Sequence, residues 1–317
     1  MRFFRRILQF LLVLVGLLLI GAWYLYTRDY TKYFLKTKGK LAEVNERITE
    51  GNPHFKKSWL TLVNDRGFTV NCGILVPRGE PRRFPAIILL GGKATGKYAI
   101  DYALEIPDVI LIAVDYPYEP RDSYTIPQFV RDIPAIRTAL IDMMPSVMLV
   151  TDYLWQRADV DTTLVVLLGY SFGAPFVPCL MANDHRPAVA AIVYGGGDLR
   201  SLIAHNVNRY EGKALSDFVG ILGGILLHPV EPLRYVDRIS PAPLVMINGA
   251  NDEQIPRKNT ELLFRAAREP KKQIWLESKH VNPANIELTK EIIKTLNEEL
   301  RRLKVLEPGK TGKRAKK

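Results

Sequence analysis

A serine stands between two glycines in Gly169-Tyr170-Ser171-Phe172-Gly173, directly behind the apolar run Leu164-Val165-Val166-Leu167-Leu168. The run has the composition of a buried strand, and Phe172 to Ala182 opens a helical pattern, so Ser171 falls at a strand-to-helix junction. A serine hydroxyl is a weak nucleophile until a neighbouring base takes its proton. A sharp turn between strand and helix lifts such a hydroxyl clear of the sheet, and the flanking glycines let backbones close in without a side-chain clash. This spacing points to covalent catalysis through the serine oxygen. Taken alone it also fits a glycine-rich turn with an ordinary serine, so the surrounding elements decide.

Those elements alternate. Trp59–Val63 and Phe68–Val76 flank the turn-rich Asn64-Asp65-Arg66-Gly67, which predicts an antiparallel hairpin. Strands are then expected at Ala86–Leu90, Val109–Val114, Leu164–Leu168, Val189–Tyr194, Leu244–Ile247 and Gln273–Leu276. Helical patterns lie between them at Tyr98–Glu105, at Ile126–Trp155 with a break near Pro145, and finally at Glu287–Leu303. Alternation of this kind predicts a mostly parallel central sheet with helices on both faces. Residues 198–238 interrupt the rhythm with helices of their own, including the apolar Phe218–Leu227. They are either a helical layer packed on the sheet or a cap whose apolar face lines the substrate pocket. Their place after a strand's C-terminal end, where open α/β sheets bind ligands, favours the cap.

The net charge of +11 resolves into a near-neutral body and two basic ends. Residues 1–38 carry +6 and residues 301–317 carry +7, while 39–300 carry −2. A nucleic-acid-binding domain is expected to hold its basic stripe on the folded body, so no nucleic-acid partner is implied. Two cysteines, Cys72 and Cys179, read as small buried hydrophobes and make no disulfide framework. No obligate protein partner is evident.

Ile7–Tyr26 is twenty residues without a charge. At 1.5 Å per residue a helix of that length reaches about 30 Å, the thickness of a bilayer's hydrocarbon core. Trp23, Tyr24 and Tyr26 gather at its far end, where amphipathic rings favour the interface. A cleaved signal peptide ending near Ala22 is the competing reading. The run is longer than an ordinary signal core, and bulky Ile20 and Trp23 flank the processing site, which favours an uncleaved single-pass anchor. Three arginines precede the span, and Arg28, Lys32, Lys36 and Lys38 follow it, so charge does not set the orientation. The short flank before the span has the form of a signal anchor, which places the domain on the periplasmic or extracytoplasmic side. The expected organisation is an anchor over 1–27, a basic connector over 28–57 with a short helix near Leu41–Ile48, a catalytic domain over 58–305, and a basic disordered tail over 306–317.

Over roughly residues 58–303 the chain resembles the α/β-hydrolases, most closely their dienelactone hydrolase and prolyl-oligopeptidase-like branch. Three segments carry the resemblance: the turn around Ser171; Asn248-Gly249-Ala250-Asn251-Asp252-Glu253-Gln254-Ile255-Pro256 after Leu244–Ile247; and Ser278-Lys279-His280 after Gln273–Leu276. Their order along the chain is the one expected of that fold. The resemblance implies Ser171 as nucleophile, His280 as general base and then acid, and Asp252 as the carboxylate that orients the imidazole. Asp198, after Tyr194-Gly195-Gly196-Gly197, is a rival for the acid. The backbone amides of Phe172 and Lys93 are the implied oxyanion donors, Lys93 because Gly91-Gly92 stands where relatives commonly have His-Gly. His54, His185, His205 and His228 read as surface or packing residues. No phosphate-cradling loop, nicotinamide fingerprint or metal-ligand cluster is present, so no cofactor or metal is expected. The function implied is cleavage of a small-molecule carboxylic ester or thioester with an apolar acyl group. A serine peptidase, an acyltransferase and a non-catalytic binding protein on the same fold are the alternatives.

Overall fold

A computed structural model describes residues 2–49, 51–80, 82–92, 95–102, 106–118, 126–282 and 284–306. Among the described residues, nine strands form one sheet in the order β1-β2-β3-β5-β4-β6-β7-β8-β9. They are β1 (Leu41–Thr49), β2 (Phe55–Asn64), β3 (Thr69–Pro77), β4 (Phe84–Leu90), β5 (Ile110–Val114), β6 (Val160–Tyr170), β7 (Val189–Val193), β8 (Leu244–Gly249) and β9 (Lys271–Leu276). The first three pair antiparallel, and β3 meets β5 antiparallel. From β5 to β9 every neighbour is parallel. The β2–β3 turn is built by Asn64, whose Oδ1 accepts the amides of Arg66 at 2.9 Å and Phe68 at 2.7 Å, and by Gly67 at φ 79°.

Alternate strand residues feed two apolar layers. In β4, Ala86, Ile88 and Leu90 face one and Ile87 and Leu89 the other. Helix α3 (Ile126–Gln156) and helix α4 (Phe176–Asn183) cover the first layer. A 3-10 helix, Gly96–Tyr102, and helix α8 (Ile286–Arg302) cover the second. In α8 the buried Leu288, Ile292, Ile293, Leu296 and Leu300 recur at helical spacing, so one stripe faces the sheet. Helix α7 (Arg257–Ala266) follows β8, and the insertion after β7 folds as α5 (Leu199–Asn208) and α6 (Lys213–Leu226) with three one-turn 3-10 helices behind them.

Three expectations are corrected. Leu41–Ile48, expected as a helix in a connector, is the edge strand β1. Its apolar spacing imitates a helix, but Val44 and Ile48 lie exposed and the open edge of β2 recruits the segment. The residues before Ser58 therefore belong to the domain. Helix α2 (Thr31–Lys38) also docks on α3, with Phe34 buried, Tyr33 Oη donating to Asp142 at 2.6 Å and Lys38 Nζ pairing with Asp152 at 2.5 Å. Helix α3 runs unbroken through Pro134 and Pro145. A mid-helix proline costs about 3 kcal/mol, but each fully buried apolar side chain returns about 1.5–3 kcal/mol. Met143, Met144, Leu149 and Val150, all fully buried around Pro145, outweigh the break.

The N-terminal helix α1 (Arg2–Thr27) has almost every described side chain exposed; its 3–27 stretch has a mean hydropathy of 2.3. The segment 131–156 also passes as long and apolar, but about half of it is buried, in keeping with its role as the core helix α3. The basic tail expected over 306–317 lies, from 307 on, outside the described residues.

Candidate functional site

Strand order reverses at β4, which has β5 on one side and β6 on the other. Open α/β sheets bind ligands at the carboxyl ends of such strands. Leu90 pairs with Gly169 in register, so the loop leaving β4 lies beside the turn that carries Ser171. Ser171 has φ 48°, a left-handed backbone that a serine rarely adopts. The neighbouring glycines are required: a Cβ on Gly173 would stand 2.2 Å from the Leu90 carbonyl oxygen, and one on Gly169 2.7 Å from the Gly173 carbonyl oxygen. The turn closes because both positions lack side chains.

At the other end of the parallel run, Gly249 pairs with Leu276, which brings the loops after β8 and β9 together. Asn251 N–H donates to the Ser278 carbonyl at 3.0 Å, tying the two loops. His280 Nδ1 lies 2.8 Å from Asp252 Oδ2 and 3.0 Å from Oδ1, and its Nε2 lies 2.7 Å from Ser171 Oγ. With the proton on Nδ1, Nε2 is free to accept from the serine hydroxyl. Asp252 Oδ1 also accepts the amides of Gln254 at 2.8 Å and Ile255 at 2.9 Å. The Asp252 and His280 side chains are only 2% and 5% exposed. Asp198, the rival acid, caps α5 instead, accepting from Ser201 N–H at 3.1 Å.

Several further residues hold this arrangement. Tyr194 packs edge-on to the His280 ring, with centroids 5.5 Å apart, and its hydroxyl bonds the Ser278 hydroxyl. Glu253 accepts the His280 backbone amide at 3.3 Å. Its own backbone amide, and then that of His280, hold its carboxyl below the usual range. Tyr116 Oη donates to the Gly91 carbonyl at 2.5 Å, and Thr95 Oγ1 donates to the Gly92 carbonyl at 3.0 Å, so the loop after β4 is held from two sides. Burial pushes the Tyr116 hydroxyl's pKa up, keeping it protonated. Lys93, the expected second oxyanion donor, lies outside the described residues. Phe172, the other, has its ring against Tyr116 and Phe176 at 5.1 and 6.0 Å. Tyr116, Tyr194 and Glu253 are not among the site residues expected from the sequence. Tyr116 and Tyr194 each follow a strand's end on the ligand side of the sheet, a positional signal that could have flagged them.

A cavity of about 400 Å³ opens on Ser171 and His280. Leu89, Ala99, Ile106, Leu111 and Ile293 give it an apolar floor, with Glu253, Gln254 and Asn282 among its polar residues. Among the described residues, none from 198–238 lines it, so the expectation that the insertion's apolar face lines the pocket is corrected. The insertion braces the loop after β8 from outside: Asn206 Nδ2 donates to the Gln254 carbonyl and His205 Nε2 meets the Glu253 carbonyl, both at 2.9 Å. Among the described residues no three His, Cys, Asp or Glu side chains gather as a metal site would require.

No family model matches the chain. Among curated proteins, it is 29% identical over 126 residues to the uncharacterized protein YfhR of Salmonella typhi, and 26% identical over 127 residues to that of Escherichia coli K12. These alignments cover about 40% of each chain, so this protein spans less than half the length of the curated relatives it matches. Among solved structures, acetyl xylan esterase 1 from Thermoanaerobacterium sp. superposes with a TM-score of 0.63 at 12% identity, over 85% of this chain and 94% of that one. An acetyl xylan esterase from Paenibacillus sp. R4 gives 0.60 at 14%, over 86% and 98%. A cold-adapted esterase from an Arctic intertidal metagenomic library gives 0.57 at 15%, over 81% and 99%. The chain has the α/β-hydrolase fold.

Proposed function

We propose that the chain is a membrane-anchored serine hydrolase that cleaves carboxylic esters or thioesters bearing an apolar acyl group. The observation that carries this reading is the continuous chain of contacts from Ser171 Oγ through His280 to Asp252 at the sheet's crossing point. His280 Nε2 takes the Ser171 proton as Oγ attacks the substrate's carbonyl carbon, and Asp252 stabilises the imidazolium that forms. The resulting oxyanion is met by the Phe172 amide and by the loop leaving β4, in the place assigned to Lys93. His280 then protonates the departing alcohol or thiol. Water, deprotonated by the same imidazole, releases the acid from Ser171.

The apolar floor of the cavity supports an apolar acyl group, and the esterases among the structural neighbours support ester cleavage. The exposed α1, free of charge from Ile7 to Tyr26, supports the anchor; the proposed side is extracytoplasmic, the side that a signal anchor gives. The test is hydrolysis of p-nitrophenyl esters by the full chain. Ser171→Ala and His280→Ala should each lower turnover by a factor on the order of thousands, because the members of such a set act as a unit. Near-normal ester cleavage by Ser171→Ala would end the proposal.

A further inference from the structure

Helix α6 is the most apolar element outside the core and α1. From Phe218 to its end at Leu226 it carries no charged side chain. One side of it is closed against α5 by glycines: a Cβ on Gly220 would stand 2.7 Å from Ala204 Cβ, and one on Gly224 2.9 Å from Arg200 Cβ. That close approach turns Leu215, Phe218 and Ile221 away from the domain, with Phe218 63% exposed. These three recur every third residue, so they form one contiguous stripe. The stripe takes no part in the active-site cavity.

What covers it is indicated by its neighbour. The C-terminal end of α1 packs against α6 and against the His228–Val230 turn that follows it. Tyr26 of α1 stacks on His228 with ring centroids 3.4 Å apart. Burial, and then the Arg234 guanidinium, hold that imidazole's pKa down at about 4, so it is uncharged at pH 7 and stacks as a neutral ring. Exposed Trp23 and Tyr24 stand on the same end of α1, where a span would leave the hydrocarbon. The root of α6 is thus fixed at the level of the interface aromatics.

We infer that α6 lies in the headgroup–acyl boundary of the bilayer that α1 crosses, with Leu215, Phe218 and Ile221 immersed in lipid. The inference rests on α1 being a membrane span. An apolar helix lying in the interface plane buries such a face to a depth of about 5–10 Å. Two lipid contacts, one spanning and one lying flat, hold the domain at a fixed attitude to the membrane where a single anchor leaves it free to swivel. The alternative occupant of the stripe, a second copy of the chain, is an outcome of the test.

The experiment uses the full chain in phosphatidylcholine–phosphatidylglycerol bilayers, with an environment-sensitive fluorophore on one introduced cysteine. The native Cys72 and Cys179 are buried and do not compete for the label. Three sites are compared: Phe218→Cys on α6, Val13→Cys in α1, and Glu298→Cys on the exposed side of α8. Nitroxide lipids labelled high on the acyl chain should quench the Phe218→Cys fluorophore at least about twofold relative to Glu298→Cys, as a shallow interfacial position requires. Val13→Cys should be quenched by nitroxides deep in the bilayer. Quenching at Val13→Cys with none at Phe218→Cys leaves the anchor standing and overturns the docking of α6. Absence of quenching at both removes the anchor and the docking together. Fluorescence at Phe218→Cys that depends on protein density, with no lipid quenching, assigns the stripe to a second copy and overturns the inference. Ile221→Cys gives the same readout if the Phe218 variant folds poorly.

Discussion

Ser171 is held in a left-handed backbone, and that conformation aims its hydroxyl at His280. The partner on the far side of the imidazole distinguishes two aspartates that the sequence left in competition. Asp252 meets His280 Nδ1, whereas Asp198 is occupied at the start of α5. Asp252→Asn should therefore lower turnover by a factor on the order of a thousand or more, through the wrong imidazole tautomer. Asp198→Asn should leave turnover within about twofold and cost at most about 1 kcal/mol of stability as a weakened cap. Steady-state kinetics and a thermal melt on both variants check this; the reverse ranking would move the acid role to Asp198. Tyr116 acts through the loop it holds. Tyr116→Phe leaves the buried Gly91 carbonyl without its donor, at a cost of about 1–3 kcal/mol. The loosened loop should lower kcat by about tenfold with KM little changed, since an oxyanion contact is made in the transition state. A change in KM alone would show that Tyr116 shapes binding and not the oxyanion loop.

At the scale of elements, the strands flanking the site were legible because short runs of branched apolar residues bounded by turn residues admit few other readings. Ala86–Leu90 and Leu244–Ile247 fall within observed strands, and Ser171, Asp252 and His280 come together from loops at the ends of β6, β8 and β9. What could not be read was decided by tertiary contacts. Strand β1 forms because β2 offers an edge, α3 runs on through Pro145 because the stretch from Ala139 to Leu154 is largely buried, and Tyr116 reaches Gly91 from another loop. A chain started at Ser58 would thus lose β1, α2 and the start of β2. The insertion's role was also hidden, since apolar content does not reveal which surface it faces. Because the cavity is floored by β4, β5, the segment at Ile106 and α8, Ile106→Phe should slow octanoyl ester cleavage at least about tenfold more than acetyl ester cleavage. Polar substitutions over Val219–Leu227 should leave that ratio unchanged. A chain-length series on both variants checks it, and an altered ratio from the insertion variant alone would return the pocket to the insertion.

For the molecule as a whole, the charge distribution and α1 predict a protein held by lipid and not by its basic ends. The full chain should stay with membranes through about 1 M salt, where the Debye length falls to about 3 Å, and through a carbonate wash. Release by salt, or a mature N-terminus near Trp23, would contradict the anchor. Protease added outside intact spheroplasts should digest the catalytic domain; protection would place it in the cytoplasm. None of these results bears on the chemistry, which rests on one oxygen atom. The most direct measurement of it is labelling of the full chain with a fluorophosphonate, followed by mass spectrometry of its peptides and ester hydrolysis on the same sample. One phosphonyl group is expected, on Ser171, with hydrolysis lost in proportion to labelling and no labelling of Ser171→Ala. Adducts on another residue accompanied by the same loss, or an unlabelled protein that hydrolyses esters at full rate, would contradict it.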